Sequence, residues 1–102
     1  MSVLHIVNKS PYDRNSLDTC LRLARPESAI LLIEDGVYAV QKNAAASEQV
    51  QQALDQHQVY ALQPDIQARG LNPDNMIDGI SLVDYDGFVK LTTEHDKLQS
   101  WL

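Results

Sequence analysis

The run Ala29-Ile30-Leu31-Leu32-Ile33 constrains this chain more than any other feature. Five apolar residues in succession are far short of the roughly 20 needed to cross a bilayer. They also lack the polar alternation of a strand with one wet face. A strand of this kind has to be covered on both sides, which is the environment of a parallel sheet flanked by helices.

The rest of the chain supplies such helices in the right places. Val3 to Val7 reads as a first strand with His5 inside it, stopped by Asn8-Lys9-Ser10-Pro11. Two helix starts follow. Ser10 with Pro11 and Asp13 is one, and Asn15 with Asp18 is the other; the second is favoured, leaving Pro11 to Arg14 as a turn. In the helix beyond, Leu17, Cys20, Leu21 and Ala24 fall on one face, and Pro26 ends it. The central apolar strand runs over 29–34 and breaks at Asp35-Gly36. Val37 to Gln41 is compatible with one helical turn. A polar helix from Ser47 to about Gln56 carries a narrow stripe of Val50, Ala53 and Leu54. A third strand spans 59–62, then Pro64-Asp65 opens a short helix closed by Gly70. A fourth strand spans 80–83, and Asp84-Tyr85-Asp86-Gly87 turns into a last helix from Phe88 to about His95. The alternation predicts one α/β domain over 1–102: three layers around a mainly parallel sheet of four strands, or five, of flavodoxin-like type. The expected strand order is 2-1-3-4. That order gathers Asn8, Lys9, Ser10, Asp35, Pro64, Asp65, Asp84 and Asp86 at the strand ends, the edge where open α/β sheets place their sites.

Charge narrows the partners. Residues 1–51 carry six acids and five bases, and residues 52–102 carry eight acids and three bases, for a net −6. A phosphate-binding surface needs clustered Lys and Arg, so direct nucleic-acid contact is not expected. The start of the chain has no basic, then hydrophobic leader, so neither a signal peptide nor a membrane role is expected. The single cysteine allows no internal disulfide and no paired-cysteine zinc or redox site; a cytoplasmic protein is expected.

No glycine pair has phosphate-loop spacing, so no nucleotide is expected, nor any other cofactor. His5, His57 and His95 lie on different elements without ligand spacing, so no metal site is expected. The acids at the strand ends read as caps and turn residues. Cys20 is the one residue with distinctive chemistry. Its place on an inward stripe favours core packing. The functional alternative is a sulfur carrier, a thiolate holding sulfane sulfur as a persulfide, with Arg14, Arg22 and Arg25 near enough in sequence to lower its pKa. Such a role requires partial exposure near the N-terminal half of the helix.

Longer stretches carry a resemblance. Leu4-His5-Ile6-Val7-Asn8-Lys9-Ser10-Pro11, Arg14-Asn15-Ser16-Leu17 and Cys20-Leu21 resemble the DsrH/TusB family. So do Glu34 to Ala39, Val59 to Leu62, Asp65 to Gly70, Val83-Asp84-Tyr85 through Thr92, and Trp101. The cysteine and the Arg-Asn-Ser-Leu run point to the DsrH side.

The resemblance implies a DsrEFH-like fold and a subunit of a sulfur-relay complex. That complex is a heterohexamer with DsrE/TusD-like and DsrF/TusC-like subunits, fed by a TusA-like donor and emptied by a DsrC/TusE-like acceptor. On the DsrH side it serves intracellular sulfur oxidation. The alternative is a TusB-type subunit serving 2-thiolation of the tRNA wobble uridine, and a further one is a scaffold without chemistry. The principal persulfide cysteine of such complexes belongs to the DsrE/TusD-like subunit, so Cys20 is a candidate secondary carrier. Tyr12, Tyr38, Val40 and Trp101 are large side chains in expected loops or the tail, and are candidates to anchor subunit interfaces.

Overall fold

The computed structural model describes residues 2–101; Leu102, expected to end the tail, lies outside them. Five strands, β1 (Val3–Val7), β2 (Ala29–Leu32), β3 (Gln58–Leu62), β4 (Ser81–Val83) and β5 (Lys97–Trp101), form one sheet in the order β4-β3-β2-β1-β5. Every pairing is parallel. The helices are α1 (Ser16–Leu23), α2 (Ser47–Ala53), α3 (Gln63–Ala68) and α4 (Tyr85–Glu94). Two 3-10 segments, Glu34–Val40 and Pro73–Asn75, complete the regular structure.

The expected order 2-1-3-4 is wrong at β3, which pairs with β2 rather than with β1. The second edge of β1 is taken by β5, from Val3 opposite Lys97 to Val7 opposite Trp101. The tail is thus the fifth strand, and β3 goes to the open side of β2.

This order decides where the helices lie. The first three crossovers move the chain in one direction across the sheet, and right-handed connections put their helices on one face. The fourth crossover returns from β4 to β5 and puts α4 on the other face. Packing agrees. Leu17 and Cys20 of α1, Val50 of α2 and Ile66 of α3 join Val7, Ile30, Leu32, Val59 and Ala61 in one buried cluster. On the opposite face, Leu91 of α4 covers Leu4, Ala29 and Leu31, with Ile6, Ile33, Tyr60, Val83 and Phe88 only partly buried. As its apolar run demands, β2 is buried at all four positions.

The Asp-Gly turn after β2 has a steric cause. A Cβ on Gly36 would sit 2.3 Å from the carbonyl oxygen of Val7, so only glycine lets the 3-10 segment lie against β1. Glu34 before it has φ +49°, a conformation that disfavours most side chains, and Asp65 Oδ2 accepts its N–H at 2.6 Å. The last helix starts three residues earlier than expected, at Tyr85, because Asp84 caps it by accepting from the Gly87 N–H at 2.7 Å.

Candidate functional site

Cys20 lies on the inward face of α1 and is fully buried, with 0% of its surface exposed. The partial exposure expected of a carrier is absent. Burial pushes its thiol up to about 12, so almost no thiolate exists near neutral pH. The nearby arginines do not offset this. Arg22 turns outward to pair with Asp18 at 3.2 Å, and among the described residues Arg14 reaches the Asp13 carbonyl. The environment is a hydrocarbon cluster, in which a thiol behaves as a small apolar side chain.

Ser10, Asp35, Asp65 and Asp84 of the strand-end residues are engaged by the fold itself. Arg69 of the turn after α3 donates through Nε to Asp35 Oδ1 at 2.9 Å, and its Nη1 lies 3.8 Å from Asp65 Oδ1. Since Asp65 also holds the Glu34 amide, this group ties the 3-10 segment to α3. Ser10 accepts from the Tyr12 amide through Oγ, and its carbonyl accepts from Asp13 and Arg14. Asp84 is the helix cap described above. Asn8 differs, because its Oδ1 is occluded and has no partner among the described residues.

The interface candidates divide. Tyr12 is 50% exposed, with its hydroxyl 3.4 Å from the Ala46 amide that donates to it. Tyr38 and Trp101 are half-buried. Val40 is a correction: it is fully buried in the helical core, and its carbonyl accepts from Ile77. The expected short turn is a longer 3-10 segment whose inner side carries Val37, Ala39 and Val40 into that core, so Val40 cannot anchor a partner.

One constellation was not anticipated. Trp101 Nε1 donates to His5 Nδ1 at 3.1 Å, joining residues 96 apart in sequence across the β1–β5 pair. The rings are tilted, with centroids 6.1 Å apart. Nearby, His57 Nδ1 lies 3.0 Å from the Ser28 carbonyl, to which it donates, and Ser28 Oγ donates to the Arg25 carbonyl at 2.7 Å. Burial, and secondarily the neighbouring His57, hold His5 below the ordinary histidine value. The sequence signal was an unexplained histidine inside a strand and a tryptophan in the tail, each within a stretch that carries the resemblance. A cavity of about 620 Å³ opens beside this group, at the N-terminal ends of β1 and β5. It is at the opposite end of the sheet from the acids.

Comparison with known proteins places these features. The family described as "DsrH like protein" matches residues 9–98. Protein TusB of Pectobacterium parmentieri is 35% identical over 100 residues, covering 97% of this chain and 100% of the relative. Protein TusB of Yersinia enterocolitica is 39% identical over the same extent. Among solved structures, the ychN protein of E. coli superposes with a TM-score of 0.83 at 21% identity, covering 98% of both chains. MTH1491 of Methanobacterium thermoautotrophicum gives 0.68 at 17%, covering 96% of both. At those identities the two structures speak for the fold alone.

Proposed function

The chain belongs to the DsrH/TusB family, and from that premise we propose that it is a TusB-type subunit of a sulfur-relay complex, acting by assembly rather than by carrying sulfur itself. The observation that carries the reading is the match to TusB proteins over 97% of this chain and 100% of theirs. It favours the tRNA-thiolation setting over the sulfur-oxidation setting that Cys20 and the Arg-Asn-Ser-Leu run suggested. The expected partners are TusD-like and TusC-like subunits in a cytoplasmic heterohexamer, with a TusA-like donor and a TusE-like acceptor acting on the complex.

The scaffold role is supported by Cys20. A persulfide carrier needs a reachable sulfur and a thiolate. This sulfur has neither, and the family assigns the principal cysteine to another subunit. Assembly is supported by apolar side chains that the fold leaves unused: Tyr85 and Val89 one turn apart on the outer side of α4, with Leu98 on β5.

The test is complementation. Expressed in a TusB-deficient bacterium, the chain should restore 2-thiouridine in tRNA, measured by mass spectrometry of digested nucleosides. It should co-purify with TusC and TusD at equal stoichiometry. Cys20→Ala should do the same. A chain that remains a free monomer, with thiolation absent, refutes the assignment. Restoration by the wild type but not by a folded Cys20→Ala variant refutes the scaffold role and returns Cys20 to the sulfur path.

A further inference from the structure

The geometry points to an oxyanion-binding site in the cavity beside His5, a site independent of the sulfur-relay reading. Indole Nε1–H can only donate, so the His5 Nδ1 that receives it carries a lone pair. The proton of the neutral ring is therefore on Nε2. Trp101 stands opposite Val7, toward the C-terminal end of β1, so the other side of the imidazole faces the N-terminal end, where the cavity lies.

Nε2–H has no partner among the described residues. His5 is only 7% exposed, yet Nε2 is not among the occluded, partnerless atoms. A group that is so deeply buried, unpaired and still accessible reaches solvent through the cavity its ring lines. A buried donor without an acceptor is costly, which gives the site a reason to hold one.

The charge of the walls selects the acceptor. Among the described residues, Arg25 and Lys97 line the cavity without forming an ion pair, and Glu27 is the one acid on it. Two cations against one anion leave a local net +1 on a chain whose total is −6. Ser2 adds a hydroxyl proton, since its Oγ already accepts from the Asp96 amide and so keeps its O–H free to donate. Imidazole N–H, guanidinium, ammonium and hydroxyl are all donors, and together they suit a small oxyanion, planar carboxylate or tetrahedral sulfate. Leu23 on the cavity wall suits a short apolar substituent. The ligand is bound through Nε2–H of the neutral ring, so occupation does not require breaking the Trp101 bond.

The experiment labels only this subunit with ¹⁵N, in the full chain or in its complex, and follows the His5 imidazole nitrogens by long-range ¹H–¹⁵N correlation. At pH 7.5 His5 should show the Nε2–H tautomer. Sodium sulfate and sodium acetate are then added separately, with ionic strength held constant by sodium chloride. One of the two, or both, should shift Nε2 saturably, and the responding anion identifies the preferred shape. Arg25→Ala/Lys97→Ala, both surface changes, should weaken that binding on the order of tenfold or more, while the Trp101 indole resonance shows the fold unchanged. An Nδ1–H tautomer, no saturation by either anion, or a double variant that titrates like the wild type overturns the site.

Discussion

The two faces of the sheet are built to different standards. On one, three helices press Leu17, Cys20, Val50 and Ile66 onto the strands, and the side chains there are almost all fully buried. On the other, α4 alone buries Leu4, Ala29, Leu31 and Leu91, and leaves Ile6, Ile33, Tyr60, Val83 and Phe88 part-covered. A parallel sheet is ordinarily covered on both faces. The crowded face therefore carries the stability of the isolated chain, and the sparse face holds the surface on which association can act. Cys20 falls on the crowded side, where chemistry with a partner is least accessible.

Substitutions at matched positions test that contrast most strongly. Ile66→Ala on the crowded face should cost about 3–5 kcal/mol in urea unfolding, because neighbours packed from both sides cannot collapse into the space. Leu91→Ala on the sparse face should cost nearer ~2 kcal/mol, since α4 has solvent behind it and can settle inward. Equal losses would remove the distinction.

A smaller effect sharpens it at the cysteine. Cys20→Ser puts a hydroxyl into hydrocarbon without a designed acceptor and should cost about 1–3 kcal/mol, despite the similar size of the two side chains. Cys20→Ala should be milder, about 1 kcal/mol, which makes it the cleaner probe of sulfur chemistry. A serine variant as stable as the alanine one would show that the site is wetter than its burial implies.

Acidification acts on the β1–β5 seam. His5 is held below 6.5 in the folded chain, so the unfolded chain binds more protons as the pH falls. The stabilisation is complete above the unfolded value of 6.5, and is lost progressively as the pH falls below it toward the lower folded value. Protonation of Nδ1 also turns the acceptor of Trp101 into a donor. The melting temperature should drop on going from pH 7.5 to 5.5, and the drop should shrink in His5→Phe, which has no proton to gain. The smallest effect is expected from Val89→Ser. At 62% exposure it should change the stability of the free chain by no more than about 0.5 kcal/mol. Its readout is the yield of complex with TusC-like and TusD-like subunits, which should fall if the sparse face associates.

Much of the fold could be read from local pattern. The unbroken apolar run of β2 implied its two-sided burial, and the stripe through Leu17 and Cys20 implied the inward face of α1. What escaped was non-local. The strand order depends on Lys97–Trp101 pairing with β1, and a stretch containing Lys, Gln and Ser has little strand signal until β1 is there to receive it. Val40 was misplaced for a related reason, because a 3-10 segment has no strong periodicity to show which side faces the core. At the candidate sites, the strand-end acids were legible as caps and turn residues; Asp84 acts in that way, whereas Asp65 makes a long-range bond to the Glu34 amide. The His5–Trp101 bond was not legible, since nothing near either residue names the other.

That seam also bears on how the chain reaches its native state. The strand made first is in the interior of the sheet, and one of its two neighbours is the strand made last. During synthesis, β1 to β4 can pair in sequence, but one side of β1 keeps its hydrogen-bonding groups open until Lys97–Trp101 has left the ribosome. With β1 to β4 already paired, the chain must return past β3 and β2 to reach the free side of β1, so this step comes late in folding. A chain lacking Lys97–Trp101 would lose the half-buried Trp101 and leave β1 as a bare parallel edge strand, open to pairing with the wrong strand.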